Sequence, residues 1–153
     1  MKIKYSLTII ILSLVACSNK KDKKENSVLN IQGTWELISS EIIEKGKSQF
    51  TPFSGELKMI KIINGTHFAF LKHSINPKDS SSFDAGGGYY TLSQHDYTEH
   101  LDYYKDKKWE GKTFKFKITL NKDTLIQKGV EKVEEANVDR VIIEKYIRAK
   151  PQS

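Results

Sequence analysis

The chain has 153 residues, a formal charge of +6, 29% charged and 10% aromatic residues, and a single cysteine. Six of its 25 basic and two of its 19 acidic residues precede Val28, so the remainder carries only +2, which argues against a nucleic-acid surface. A lone cysteine excludes an internal disulfide, and the length suits one domain with one core.

Lys2 and Lys4 precede Leu7 to Val15, a run interrupted only by Thr8 and Ser13. A positive start and a short apolar core predict a signal peptide over residues 1–16, too short to cross a bilayer core of about 30 Å as a helix. Leu14-Val15-Ala16-Cys17 resembles the lipobox of bacterial lipoproteins. That resemblance implies cleavage before Cys17 and lipidation of Cys17, with the lipid bilayer as partner. Each buried acyl methylene adds about 0.8 kcal/mol, so several chains, palmitate among them, would hold firmly. Residues 17–30, with four lysines and no aromatic side chain, read as a lipidated cysteine and flexible tether. Ser18 follows the cysteine where aspartate would retain a lipoprotein in the inner membrane. By resemblance to sorting in Gram-negative bacteria, the expected location is the cell envelope, anchored at the outer membrane.

Beyond the tether, apolar residues recur with period two and turn signals come often, which predicts antiparallel strands. Thr34 to Glu44 is the first, with Trp35 and Leu37 on one face and Ile38 and Ile42 on the other. Leu57 to Ile63 and Thr66 to Lys72 flank Asn64-Gly65, a pair suited to a type I′ turn. Residues 76–84 form a polar loop. Tyr89 to Ser93 and Tyr97 to Tyr104 make a hairpin across Gln94-His95-Asp96, and a charged connection with Trp109 follows. Thr113 to Leu120 alternates cleanly, Asn121-Lys122-Asp123 turns the chain into Thr124 to Val130, and residues 131–137 are acidic and weakly helical at best. Val138 to Arg148 is the last strand. About eight strands joined mostly by short turns predict an all-β, antiparallel up-and-down barrel, because closure removes exposed edges. Such a barrel is either filled by side chains or roomy enough for one small ligand.

Gly33-Thr34-Trp35 resembles the Gly-x-Trp signature of lipocalins, and Arg148 resembles the arginine that packs over that tryptophan to close the base. Further stretches resemble the lipocalin-like domain of bacterial lipoproteins, a calycin-type barrel of uncharacterised role. They are Thr66-His67-Phe68, Gly86-Gly87-Gly88-Tyr89-Tyr90-Thr91-Leu92, Asp96-Tyr97-Thr98-Glu99-His100 and Glu144-Lys145-Tyr146-Ile147-Arg148. The resemblance implies a lipocalin-like domain over residues 31–150, with Tyr146 where the family would have tryptophan, and brings no catalytic residue.

Strand parity places Tyr97, Glu99 and Tyr103 on one face, and Glu144, Tyr146 and Arg148 on one face. If both point inward, a Glu/Arg/Tyr cluster sits beside Phe68, Phe70, Phe114 and Phe116. A mainly apolar cavity with a few fixed polar groups is how small-ligand sites are built. The candidate ligand-binding residues are therefore Phe68, Phe70, Tyr90, Tyr97, Glu99, Phe116, Glu144 and Tyr146, with Gly33, Trp35 and Arg148 as barrel closure. The competing reading is a structural network in which Arg148 pairs with a buried glutamate. His67, His73, His95 and His100 show no metal-ligand spacing, no nucleophile motif is present, and Gly86-Gly87-Gly88 suits a crowded strand or bulge. The expectation is a non-enzymatic protein without a cofactor that binds a small, largely apolar ligand. The alternative is an interaction module with a filled barrel that recognises an envelope protein or glycan through its tyrosines.

Overall fold

The structure, a computed structural model, describes residues 29–79 and 81–150. The signal peptide, Cys17 and all of the tether except Leu29 and Asn30 lie outside the described residues. Nine strands form one antiparallel sheet: β1 (Gly33–Glu44), β2 (Lys47–Pro52), β3 (Leu57–Ile63), β4 (His67–Ser74), β5 (Asp84–Ser93), β6 (Asp96–Tyr104), β7 (Lys112–Asn121), β8 (Thr124–Val133) and β9 (Val138–Arg148). The spatial order is β2-β1-β3-β4-β5-β6-β7-β8-β9, and β9 pairs back onto β1 from Trp35↔Arg148 to Ile43↔Val141. Eight strands thus close an all-β antiparallel barrel, which leaves no open edge in the ring. A single 3₁₀ turn (Glu134–Ala136) is the only helix among the described residues. None of those residues forms a helix long and apolar enough to cross a membrane.

β2 is the ninth strand. It has no period-two apolar pattern, and its position follows from the turn before it. Lys45 (φ 50°) and Gly46 (φ 75°) both lie in the left-handed region, the conformation a tight hairpin needs, and they fold β2 back on β1 from Glu44↔Lys47 to Ser39↔Pro52. The Asn64-Gly65 hairpin forms, but not through a type I′ turn: neither residue has positive φ. Instead the Asn64 side chain accepts from the Thr66 N–H at 2.8 Å and the His67 N–H at 2.7 Å. An asparagine that bonds its own downstream backbone makes a turn without the left-handed residue.

Two β-bulges overturn face assignments made from strict alternation. The β1–β9 register shifts between Leu37 and Ser39, so Leu37 and Ile42 both reach the interior although the sequence sets them on opposite faces. On β6 the register skips Asp102, since Gly88 pairs with Leu101 and Gly87 with Tyr103. Tyr97, Glu99 and Leu101 point inward, whereas Tyr103 is 71% exposed and leaves the predicted cluster. One extra residue in a strand reverses every later side chain. The glycines at this bulge permit close strand approach: a Cβ on Gly88 would stand 1.8 Å from the His100 carbonyl oxygen.

Candidate functional site

The two ends of the barrel are built differently. At one end the turns are short, and Trp35 is fully buried, its indole Nε1–H donating to the Ile31 carbonyl at 2.8 Å. The Arg148 guanidinium lies over the Trp35 ring at 4.2 Å and donates to the Gln32 carbonyl at 2.8 Å. Gly33 has φ +133°, and a side chain there would meet Arg148 Nη1 at 2.6 Å. Arg148 therefore seals the base by stacking and carbonyl contacts. It is not paired with a buried glutamate; its carboxylate neighbour is the exposed Asp123, at 3.5 Å.

Above this base a polar crossbar spans the lumen. Lys61, on β3, is 2% exposed and donates to Glu99 Oε1 on β6 at 2.8 Å and to Gln127 Oε1 on β8 at 3.0 Å. Neither partner strand adjoins β3, so both bonds cross the interior. The ammonium also lies 5.8 Å from the Phe68 ring centre and 5.4 Å from that of Tyr146. Burial works against the Lys61 charge, but the carboxylates of Glu99 and Glu144 outweigh it and hold its pKa above the ordinary lysine value. Tyr146 donates to Glu144 Oε2 at 2.6 Å. Burial raises the Glu144 pKa, Lys61 and the Tyr146 bond oppose that rise, and the net direction is upward. Tyr97 is buried with its hydroxyl unpartnered, and its pKa is raised by burial and by the neighbouring Glu99 carboxylate.

The other half of the barrel holds a cavity of about 370 Å³, inside the range of small-molecule sites. Its walls include Met59, Phe70, Leu101, Phe114, Phe116 and Ile142, with Lys61, Glu99, Gln127 and Glu144 below. Trp109, in the β6–β7 connection, lines its mouth against Tyr104 (6.1 Å), Phe114 (5.8 Å) and the Arg140 guanidinium (5.7 Å). Arg140 pairs with Glu131 through Nε at 2.8 Å and Nη2 at 2.6 Å, a fork that fixes the guanidinium. Asp84 pairs with Lys105 at 3.3 Å and accepts from Tyr104, whose pKa burial pushes up to about 12 with help from Asp84.

Of the eight candidate ligand residues, Phe70, Glu99, Phe116 and Glu144 line this cavity. Phe68, Tyr97 and Tyr146 are packed within the buried core rather than in the lining, and Tyr90 stands near the closed end, its hydroxyl donating to the Asn64 carbonyl at 2.8 Å. Sequence reasoning missed Lys61, Gln127, Glu131, Arg140 and the mouth position of Trp109. The signal for two of them was present, since Lys61 shares parity with Met59 and Ile63, and Gln127 with Leu125. A charged residue between isoleucines reads as solvent-facing, yet on β3 the isoleucine Ile62 is 41% exposed and the lysine is inside.

No family model matches the chain, and no curated protein matches it. Among solved structures the chain is similar to the crystal structure of a point mutant of the fluorescent protein UnaG. The two are 12% identical with a TM-score of 0.38, covering 79% of this chain and 97% of that one. At that overlap the barrel assignment stands on the closed strand register of this chain, and the likeness adds nothing to the reading of its site.

Proposed function

We propose that this chain is a lipoprotein of the bacterial cell envelope, of the lipocalin-like kind, whose barrel binds one small, largely apolar molecule in its open half. The observation that carries the binding reading is the cavity of about 370 Å³ between the Lys61 crossbar and the Trp109 mouth. A ligand there would bury its body against aromatic and aliphatic walls and find polar groups at fixed positions below, the usual division of labour in such sites. The anchoring reading rests on the lipobox-like Leu14-Val15-Ala16-Cys17 and its charged, apolar leader, and it puts the barrel at the outer membrane on an acylated Cys17. The protein is read as a carrier or sensor, not an enzyme.

The test is native mass spectrometry on the full-length protein extracted gently from its own envelope. The expected result is a reproducible added mass that mild denaturation removes, on top of a covalent acyl mass that a Cys17→Ser variant lacks. A bare protein that also shows no shift against a lipid and metabolite panel would sink the carrier reading. A Cys17→Ser variant that still fractionates with membranes would sink the anchor.

The runner-up is an interaction module that engages an envelope protein or glycan through its outer surface. Its support is the exposed aromatic pair at the 75–83 loop, Phe83 and Tyr103. Such rigid amphipathic rings are common recognition surfaces.

A further inference from the structure

Most charges around the cavity are paired; of its described lining residues, Lys72 toward the mouth and Glu144 at the inner end have no ion-pair partner. Lys61 is bonded to Glu99, Arg140 to Glu131, and Lys105 to Asp84. Glu144 lines the same cavity and is 8% exposed; its hydrogen bond comes from the neutral Tyr146 hydroxyl. No Lys or Arg lies within ion-pair distance of it among the described residues. Lys61 bonds Glu99 and Gln127 and acts on Glu144 only through space, without a hydrogen bond to it. A carboxylate held nine-tenths buried with no cation in contact is costly unless something supplies the opposite charge.

We propose that the ligand of this barrel is a small amphiphile with a cationic nitrogen at its inner end, an ammonium seated on Glu144 and flanked by the Glu99 carboxylate, with its apolar part running out between Phe70, Leu101 and Phe114 toward Trp109. The inference rests on the carrier reading above and adds the head-group class. An anionic head group is disfavoured by the same geometry. It would meet two carboxylates at the inner end, while the one ammonium there already has a carboxylate and an amide partner. The other two cations of the lining lie away from the crossbar: Lys72 belongs to β4 near its end, beside the mouth residue Asp84 in register, and Arg140 is held by Glu131. The upward direction of the Glu144 pKa agrees with a carboxylate short of a cation.

The experiment uses full-length protein and three chain-matched probes, octylamine, octanol and octanoate, titrated at pH 7.5 with the fluorescence of the cavity-lining Trp109 and calorimetry as readouts. The expected order is octylamine at least tenfold tighter than octanoate, with octanol between. Glu144→Gln should lower octylamine affinity at least tenfold and leave octanol within twofold. Should that variant fold poorly, the unaltered protein decides by pH. Octylamine affinity should fall severalfold between pH 8 and pH 4 as Glu144 gains a proton, while octanol holds steady. The groups facing Glu144 in that titration are Lys61 from β3, Glu99 and Tyr97 from β6, Glu131 from β8 and Tyr146 from β9. Octanoate binding as tightly as octylamine, or octylamine indifferent to both Glu144→Gln and pH, would overturn the cationic head group while leaving the carrier reading intact. Failure of all three probes to bind would overturn both.

Discussion

The closed and open ends of this barrel use the same residue types for different ends. Each is organised around a tryptophan with an arginine against it: Trp35 with Arg148 at 4.2 Å, Trp109 with Arg140 at 5.7 Å. At the closed end the indole is fully buried, its N–H is bonded, and short turns such as Lys122-Asp123 leave no space around it. At the open end the indole belongs to a loop, is half-buried, and stands beside a cavity. Two aromatic–cation pairs thus give one plug and one mouth. What separates them is the length of the connections: the 75–83 and 105–111 loops hold the strand ends apart, where a two-residue turn would draw them together.

The sharpest way to test that contrast is to truncate both tryptophans. Trp35→Ala should cost about 3–5 kcal/mol of stability, because it opens a large hole in a packed base and leaves Arg148 without its stacking partner. Trp109→Ala should cost only about 1 kcal/mol, since its ring is partly solvated already. Urea midpoints of the two variants check this, and equal losses would mean the open end is as much core as the closed one.

The next effect in size concerns the crossbar between the two ends. Lys61→Met should destabilise by about 3 kcal/mol, because it leaves the buried Glu99 carboxylate and the Gln127 amide without their partner. Adding Glu99→Leu and Gln127→Leu to it should recover most of the loss, a coupling that a multiple-mutant cycle reads directly. Independent, additive losses would show that the crossbar is not a unit.

The smallest effect is a pH dependence at the floor of the open half. The folded-state pKa of Glu144 is raised above its unfolded value, so its contribution favours folding fully below the unfolded carboxylate range and is lost as pH rises through the folded value. Unliganded Glu144→Gln should therefore unfold at a higher midpoint than the parent near pH 7, with the gap narrowing as pH falls from the raised folded value to the ordinary carboxylate range and constant below it. A gap that stays constant with pH would remove Glu144 from the list of groups that feel burial.

The eight strands of the ring, their approximate bounds and the Gly33, Trp35 and Arg148 frame could be read from the sequence because each is a local signal. Period-two alternation needs only neighbours along the chain, and a glycine two residues before a buried tryptophan is a local backbone demand. Several strands extend beyond their sequence-predicted ends, as at β5, which starts at Asp84 rather than Tyr89, because Gly86-Gly87-Gly88 has no side chains to alternate. β2 was not visible for a related reason: its six residues carry no pattern, and pairing with β1 alone makes them a strand.

The site was less accessible than the fold. Phe70, Phe116, Glu99 and Glu144 were found by parity within unbroken strands, whereas Tyr103 was misplaced by a bulge that one extra residue creates. Lys61 was passed over because alternation states which residues share a face but not which face becomes the inside. The chain alone thus determined that it would make alternating strands and where most of them turn. Only tertiary closure decided that a lysine and a glutamine would lie inside while isoleucines lay outside, and that one half would remain hollow. Inside and outside are properties of the closed ring, set by the sum of all strand registers and bulges, and no single strand contains them.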